Sequence, residues 1–143
     1  GKFCYINADD PYRTIDTIID EQGAGISRIK AEYCVDMLAS EEDRDTISGG
    51  KGGNIYWLTP GWLLYRQYAF QVRDKGFAIQ NFRSHKYTEG AGLLDGIGFY
   101  NKYCKEHAEE LLECSDWMEL PILPYEISLD RLKRLLLEAA SGK

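Results

Sequence analysis

Histidine, cysteine, proline and methionine are all scarce in this chain: 2, 4, 4 and 2 residues out of 143. Two histidines leave few routes to base catalysis by imidazole. The cysteines Cys4, Cys34, Cys104 and Cys114 are scattered and form no C-x-x-C pair. That argues against a thioredoxin-type redox motif and against a zinc ribbon. No apolar run approaches the roughly 18 residues needed to span a bilayer, so no membrane role is expected. Positive charge is in the minority, 17 basic against 23 acidic residues, for a net charge of −6. A general binder of nucleic acid phosphates would be expected to carry the opposite sign, so no nucleic acid partner is expected. No charged-then-apolar secretory leader is visible. An acidic chain of this kind is expected to be cytoplasmic, with its thiols reduced.

What is present is ordinary for a globular domain: 44% apolar and 28% charged residues. The length fits one domain over residues 1–143, long enough to bury a core without disulfides. Turn signals divide it into alternating strand-like and helix-like pieces. Phe3 to Asn7 reads as a short strand. Thr14 to Gln22 places Ile15, Ile18 and Ile19 on one face and stops at Gly23, so it reads as a helix. Gly25 to Ile29 reads as a short strand, and Ala31 to Ala39 as a helix. Residues 40–54 are polar and glycine-rich and read as the longest loop. Asn54 to Thr59 is dense in β-formers and ends at Pro60-Gly61. Trp62 to Lys75 reads as a helix with Trp62, Tyr65, Tyr68, Ala69 and Val72 as its apolar stripe.

Phe77 to Phe82 fits a strand or a helix end. Ala91 to Leu94 is a buried-type strand closed by Asp95-Gly96-Ile97-Gly98. Phe99 to Cys114 reads as one helix with Tyr100, Tyr103, Cys104, His107, Ala108 and Leu111 inward. Leu120 to Ile127 contains Pro121 and Pro124, so a strand there is irregular or at an edge. Ser128 caps a last helix, Leu129 to Ala140, with Leu132, Leu135, Leu136 and Ala139 on one face. This alternation favours an α/β fold of three layers, Rossmann-like, with a mostly parallel sheet flanked by helices. Ligands in such folds sit at the carboxyl ends of the strands.

Several motifs have a functional and a plain reading. Ser48-Gly49-Gly50-Lys51-Gly52-Gly53 has the glycines of a phosphate loop, but no hydroxyl follows the lysine and a strand follows instead of a helix. A surface loop is the better reading. Thr59-Pro60-Gly61-Trp62 sits at a strand-to-helix turn, where Trp62 is either core or the wall of a pocket. Asp95-Gly96-Ile97-Gly98 sits at an equivalent turn. Its Gly-x-Gly would let a ligand approach the backbone, or Asp95 simply caps the next helix. Cys104 and His107 share a helix face and read as core. His85, within Arg83-Ser84-His85-Lys86, reads as part of a solvated basic loop.

The run Arg28 to Leu38, followed by Tyr56-Trp57-Leu58-Thr59-Pro60-Gly61-Trp62, resembles the uncharacterised family catalogued as domain of unknown function 1638. Gly1 to Cys4 and Leu94 to Gly98 fit its remaining elements, in order. Members are similar in context to one another, many accompanying corrinoid-dependent methyltransferase systems of anaerobes. The resemblance implies an α/β fold and no settled activity. Members carry a further N-terminal portion, so the expectation is that this chain is the C-terminal part of a larger domain. Its sheet would then lack strands or be completed by another subunit, as in a homo-oligomer.

The resemblance puts Cys4 at a strand end and Cys34 in the segment after the next strand. The expected function is an accessory or binding protein of anaerobic, corrinoid-linked one-carbon metabolism. It would hold a transition metal or small cofactor through Cys4 and Cys34, since thiolates are soft ligands. Trp62 would be a wall, Thr59 and Asp95 would line the pocket, and the Gly96 and Gly98 backbone would allow close approach. Two alternatives stay open. One is a small transferase or hydrolase with Cys34 as nucleophile, its thiol activated by Arg28 and Lys30. The other is an interaction module for a methyltransferase or corrinoid protein.

Overall fold

A computed structural model describes residues 10, 12–23, 25–66, 75–84 and 87–142 of the chain. In chain order the helices are α1 Ile15–Gln22, α2 Cys34–Leu38, α3 Glu41–Ile47, α4 Pro60–Leu64, α5 Lys75–Ser84, α6 Phe99–Glu106, α7 Ala108–Met118 and α8 Asp130–Ala140. The strands are β1 Ile55–Leu58, β2 Gly90–Asp95 and β3 Ile122–Glu126, with a 3-10 turn, Gly52–Asn54, leading into β1. They pair in the order β1-β2-β3, and both pairings are parallel. This is the α/β, three-layer arrangement that the alternation of segments predicts. By contact the described residues form two compact units. One is Glu41–Ile127; the other joins the described residues up to Ser40 to those from Ser128 onward.

The sheet unit is organised by β2. All six of its residues are buried, as expected for a central strand covered on both faces. Side chains alternate between the faces. One face presents Leu58, Ala91, Leu93 and Ile122 to Leu63 of α4, Phe82 of α5, Tyr103 of α6, and Cys114 and Met118 of α7, which together form the core. The other face carries Trp57, Gly92 and Tyr125. Trp57 and Gly92 are register partners, and the Trp57 and Tyr125 rings lie 5.1 Å apart. The Trp57 indole N–H donates to the Gly52 carbonyl at 3.0 Å. Proline is tolerated in β3 because, among the described residues, β3 is an edge strand.

Four expectations from sequence are corrected. Gly25 to Ile29 joins no strand. There Arg28 grips Asp16 through both carboxylate oxygens, at 2.5 and 2.7 Å, and donates to the carbonyl of Ile29 at 2.7 Å. Residues 40–54 are not one loop. Glu41, Glu42 and Asp43 place negative charge in the first turn of α3, where the helix dipole favours it. Asp45 then accepts from the Gly52 amide at 3.2 Å, tying α3 to the 3-10 turn.

The helix expected from Trp62 begins earlier, at Pro60, and closes at Leu64 with Tyr65 as its C-cap. Leu63 rather than Tyr65 is the buried residue, and Tyr68, Ala69 and Val72 lie outside the described residues. The helix expected over Phe99 to Cys114 breaks at His107, whose φ of −140° and ψ of 43° make it both the last cap of α6 and the first of α7. His107 and Ala108 are therefore exposed instead of inward. Of the remaining ambiguities, Phe77 to Phe82 is helix. The expected strand Phe3 to Asn7 lies outside the described residues.

In the second unit, α2 packs on α8. The Arg131 guanidinium donates to the Asp36 carbonyl at 2.7 Å. Ser128 accepts from the Asp130 amide at 3.1 Å, but the helix starts one residue later than expected, so its N-cap is Leu129 and not Ser128. Leu135 is the buried residue of the α8 stripe, while Leu136 is half exposed. Among the described residues no helix is long and apolar enough to cross a membrane.

Gly92 is the tightest position in the sheet. A Cβ there would lie 2.7 Å from Ile55 Cγ2 and 2.9 Å from the Trp57 ring. Gly92→Ala should lower stability by about 1–3 kcal/mol, the usual cost of overpacking. Chemical denaturation checks this; an unchanged midpoint would mean that Trp57 does not lie over Gly92.

Candidate functional site

The carboxyl edge of the sheet carries two strand-to-helix junctions. β1 ends at Leu58, and Thr59 is the N-cap of α4. Its hydroxyl accepts from the Trp62 amide at 3.1 Å. Pro60 occupies the first helical position, where its missing N–H costs nothing. Trp62 is half-buried, with its ring 5.8 Å from that of Tyr56 in an edge-on contact. Burial pushes the Tyr56 phenol above its ordinary pKa, and Tyr87 adds to this, while a hydrogen bond with the Trp62 side chain works in the opposite direction.

The second junction is built around Asp95, the last residue of β2. One carboxylate oxygen accepts from the amides of Ile97 at 3.1 Å and Phe99 at 2.9 Å; the other accepts from Tyr100 at 2.8 Å. Asp95 is only 8% exposed. Burial alone would raise its pKa, but the amides of Tyr100, Phe99, Ile97 and Gly98 outweigh burial and hold it below the ordinary carboxylate value. The turn needs Gly98, the N-cap of α6, at φ 70°. No atom lies within 4 Å of where its Cβ would be, so the backbone there is open to approach. Ile97 projects outward, 68% exposed. The two junctions are neighbours because their strands are paired, Leu58 with Leu93.

Thr59, Trp62, Asp95, Gly96 and Gly98 are thus gathered at one edge. The cysteines are distributed differently. Cys34 is the first residue of α2, in the other unit, and is half-buried. Cys4 lies outside the described residues, as does His85. Cys104 is half-buried, and the Tyr100 hydroxyl bonds to its sulfur. Cys114 is fully buried; burial pushes its thiol up to about 12, against an opposing effect of Arg66. His107 lies 3.5 Å from Glu110 at the helix break, so it no longer continues the α6 face that carries Cys104. Among the described residues no group of three or more His, Cys, Asp or Glu is placed to hold a metal ion.

Sequence reasoning missed one concavity. A cleft of about 540 Å³ is lined by Glu41, Glu42, Arg44, Asp45, Gly52, Gly53 and Trp57. It lies where α3 and the 3-10 turn meet β1, away from the carboxyl edge. Reading residues 40–54 as a loop hid it; the acidic start of α3 was the available signal.

Residues 12–136 match the family model described as protein of unknown function (DUF1638). The chain belongs to the DUF1638 family. The matched span takes in both DUF1638 junctions, Cys34 and the acidic cleft, and Cys4 falls before it. No match is found among curated proteins or among solved structures.

Two outcomes follow from these environments. Asp95→Ala should cost about 1–2 kcal/mol, since it removes a helix cap. Because the folded pKa of Asp95 is lowered, its contribution is complete above the unfolded value and is lost as pH falls through the folded one. Denaturation of both proteins between pH 7 and acid should show the gap narrowing, and a gap that stays constant would contradict the assignment. In alkylation at pH 8, Cys114 should stay unlabelled until denaturant is added. Mass mapping of labelled peptides reads this directly, and native-state labelling of Cys114 would refute its burial.

Proposed function

We propose that this DUF1638 protein is an accessory or binding protein of anaerobic, corrinoid-linked one-carbon metabolism that takes a small ligand at the carboxyl edge of its sheet. The observation that carries the reading is the pair of neighbouring junctions after β1 and β2. Parallel α/β sheets bind ligands in that position. Trp62 supplies a wall, and the Gly98 backbone lies open for close approach. Thr59 and Asp95 act by holding the turns, because their oxygens are spent on the amides of their own helices.

The metal part of the proposal assigns Cys4 and Cys34 as thiolate ligands of a transition metal. Cys34 on its own does not make a site, so further ligands would come from outside the described residues. A corrinoid protein or methyltransferase is the proposed partner, and self-association into a homo-oligomer fits the same role. Binding is favoured over Cys34 nucleophilic chemistry by one observation. Arg28, one of the two expected activators beside Lys30, is committed to Asp16 and to the carbonyl of Ile29.

The two parts are tested separately. Protein purified without oxygen should carry metal and a visible absorption band, both lost in Cys4→Ser/Cys34→Ser; a colourless, metal-free protein removes the metal part. Native mass spectrometry of the same preparation should show a retained small molecule that Ile97→Arg loses. Ile97 is exposed, so the replacement leaves the core untouched. A retained molecule unaffected by Ile97→Arg would place the site elsewhere.

A further inference from the structure

We propose that the cleft formed by α3, the 3-10 turn and β1 is a ligand site of its own, taking a small organic cation that carries ammonium or guanidinium groups. All of its lining residues belong to the sheet unit, and none belongs to the carboxyl-edge junctions. Its volume of about 540 Å³ suits a small molecule, whose pockets commonly span about 300–1,000 Å³. The lining has acceptors to spare, while its described donors are spent. The Trp57 N–H goes to the Gly52 carbonyl at 3.0 Å, and the Gly52 amide goes to one Asp45 oxygen at 3.2 Å. Lys51, which leads into the same turn, is paired with Glu89 at 3.2 Å. Among the described residues, Glu41, Glu42 and the second Asp45 oxygen make no hydrogen bond or ion pair. Elsewhere in the unit Glu113, Asp116 and Glu119 each have a basic partner.

The chemistry of the lining selects the ligand. Among the described lining residues Arg44 is the cation, against three carboxylates. Glu41 and Asp45 are four apart on α3, so they share a face, and like charges at that spacing repel. A bound cation relieves the repulsion. Trp57 adds the aromatic side chain that attracts cations most strongly. A metal ion does not fit the same carboxylates, because among the described residues no group of three or more His, Cys, Asp or Glu is placed to hold one. Positive groups spaced along an organic chain match carboxylates that do not converge on a point.

The test is calorimetric titration of the full chain with spermidine and with agmatine, joined to the indole N–H NMR signal of Trp57. At least one amine should saturate at one per chain and move that signal. Glu41→Gln/Glu42→Gln should weaken binding by about tenfold, as two part-exposed ion pairs are lost. Both side chains are exposed, so the fold is kept. Glu106→Gln/Glu109→Gln removes the same charge from exposed positions outside the cleft and should leave the affinity unchanged. Three results would overturn the proposal: saturable binding of neither amine, a Trp57 signal that stays still, or equal weakening in both double variants, which would reduce the effect to general attraction by an acidic chain. Trilysine binding far more tightly than either amine would also overturn it, because the cleft would then read a basic segment of another protein.

Discussion

The central strand must be thin. β2 runs Gly90-Ala91-Gly92 before its leucines, and both of its faces are covered. On one face the small Ala91 lets the core of α4, α5, α6 and α7 close onto the sheet. On the other, the absence of a side chain at 92 makes room for the Trp57 ring, which then reaches Tyr125 two strands away. The indole N–H finds the Gly52 carbonyl, and Gly52 is bonded in turn to Asp45 at the end of α3. One glycine in β2 thus fixes a ring in β1, and that ring fixes the approach of the chain into the sheet.

The same strand ends in a residue of another kind. Asp95 is a buried charge, which is costly unless it is hydrogen-bonded. Amide contacts from Ile97, Phe99 and Tyr100 meet that requirement and fix the start of α6. The main-chain carbonyl of Asp95 also accepts from Ile127 at 3.0 Å, where the chain leaves β3. Side chain and backbone of one residue therefore set the ends of two neighbouring strands. The order of this edge comes from the chain itself. Whatever binds there meets a turn already folded and loses little free energy in ordering it.

The strands were legible in the sequence because their composition is extreme. Ile55 to Leu58 and Gly90 to Leu94 are apolar runs bounded by turn residues, and the parallel order follows from the helices between them. Helix ends were harder. Tyr65 and His107 break helices whose apolar spacing continues through them, and periodicity carries no information about a single residue leaving the helical region. Glu41 to Ile47 was hidden for the opposite reason. It has almost no apolar stripe and is held by its acidic first turn and by the Asp45–Gly52 bond. At the site, the positions of Thr59, Trp62, Asp95, Gly96 and Gly98 along the chain were readable. That the Asp95 carboxylate points back into its own turn was not, because capping and ligand contact share one sequence pattern.

The contact between Trp57 and Gly92 ties two positions 35 apart into a single quantity of volume. Neither can grow unless the other shrinks. Among relatives with this sheet, a side chain at the position of Gly92 would have to be accompanied by loss of the ring at that of Trp57. Losing that ring would also free the Gly52 carbonyl and open the wall of the acidic cleft. Evolution of the cleft is thereby chained to the packing of the sheet's interior: its lining cannot drift without the central strand drifting with it.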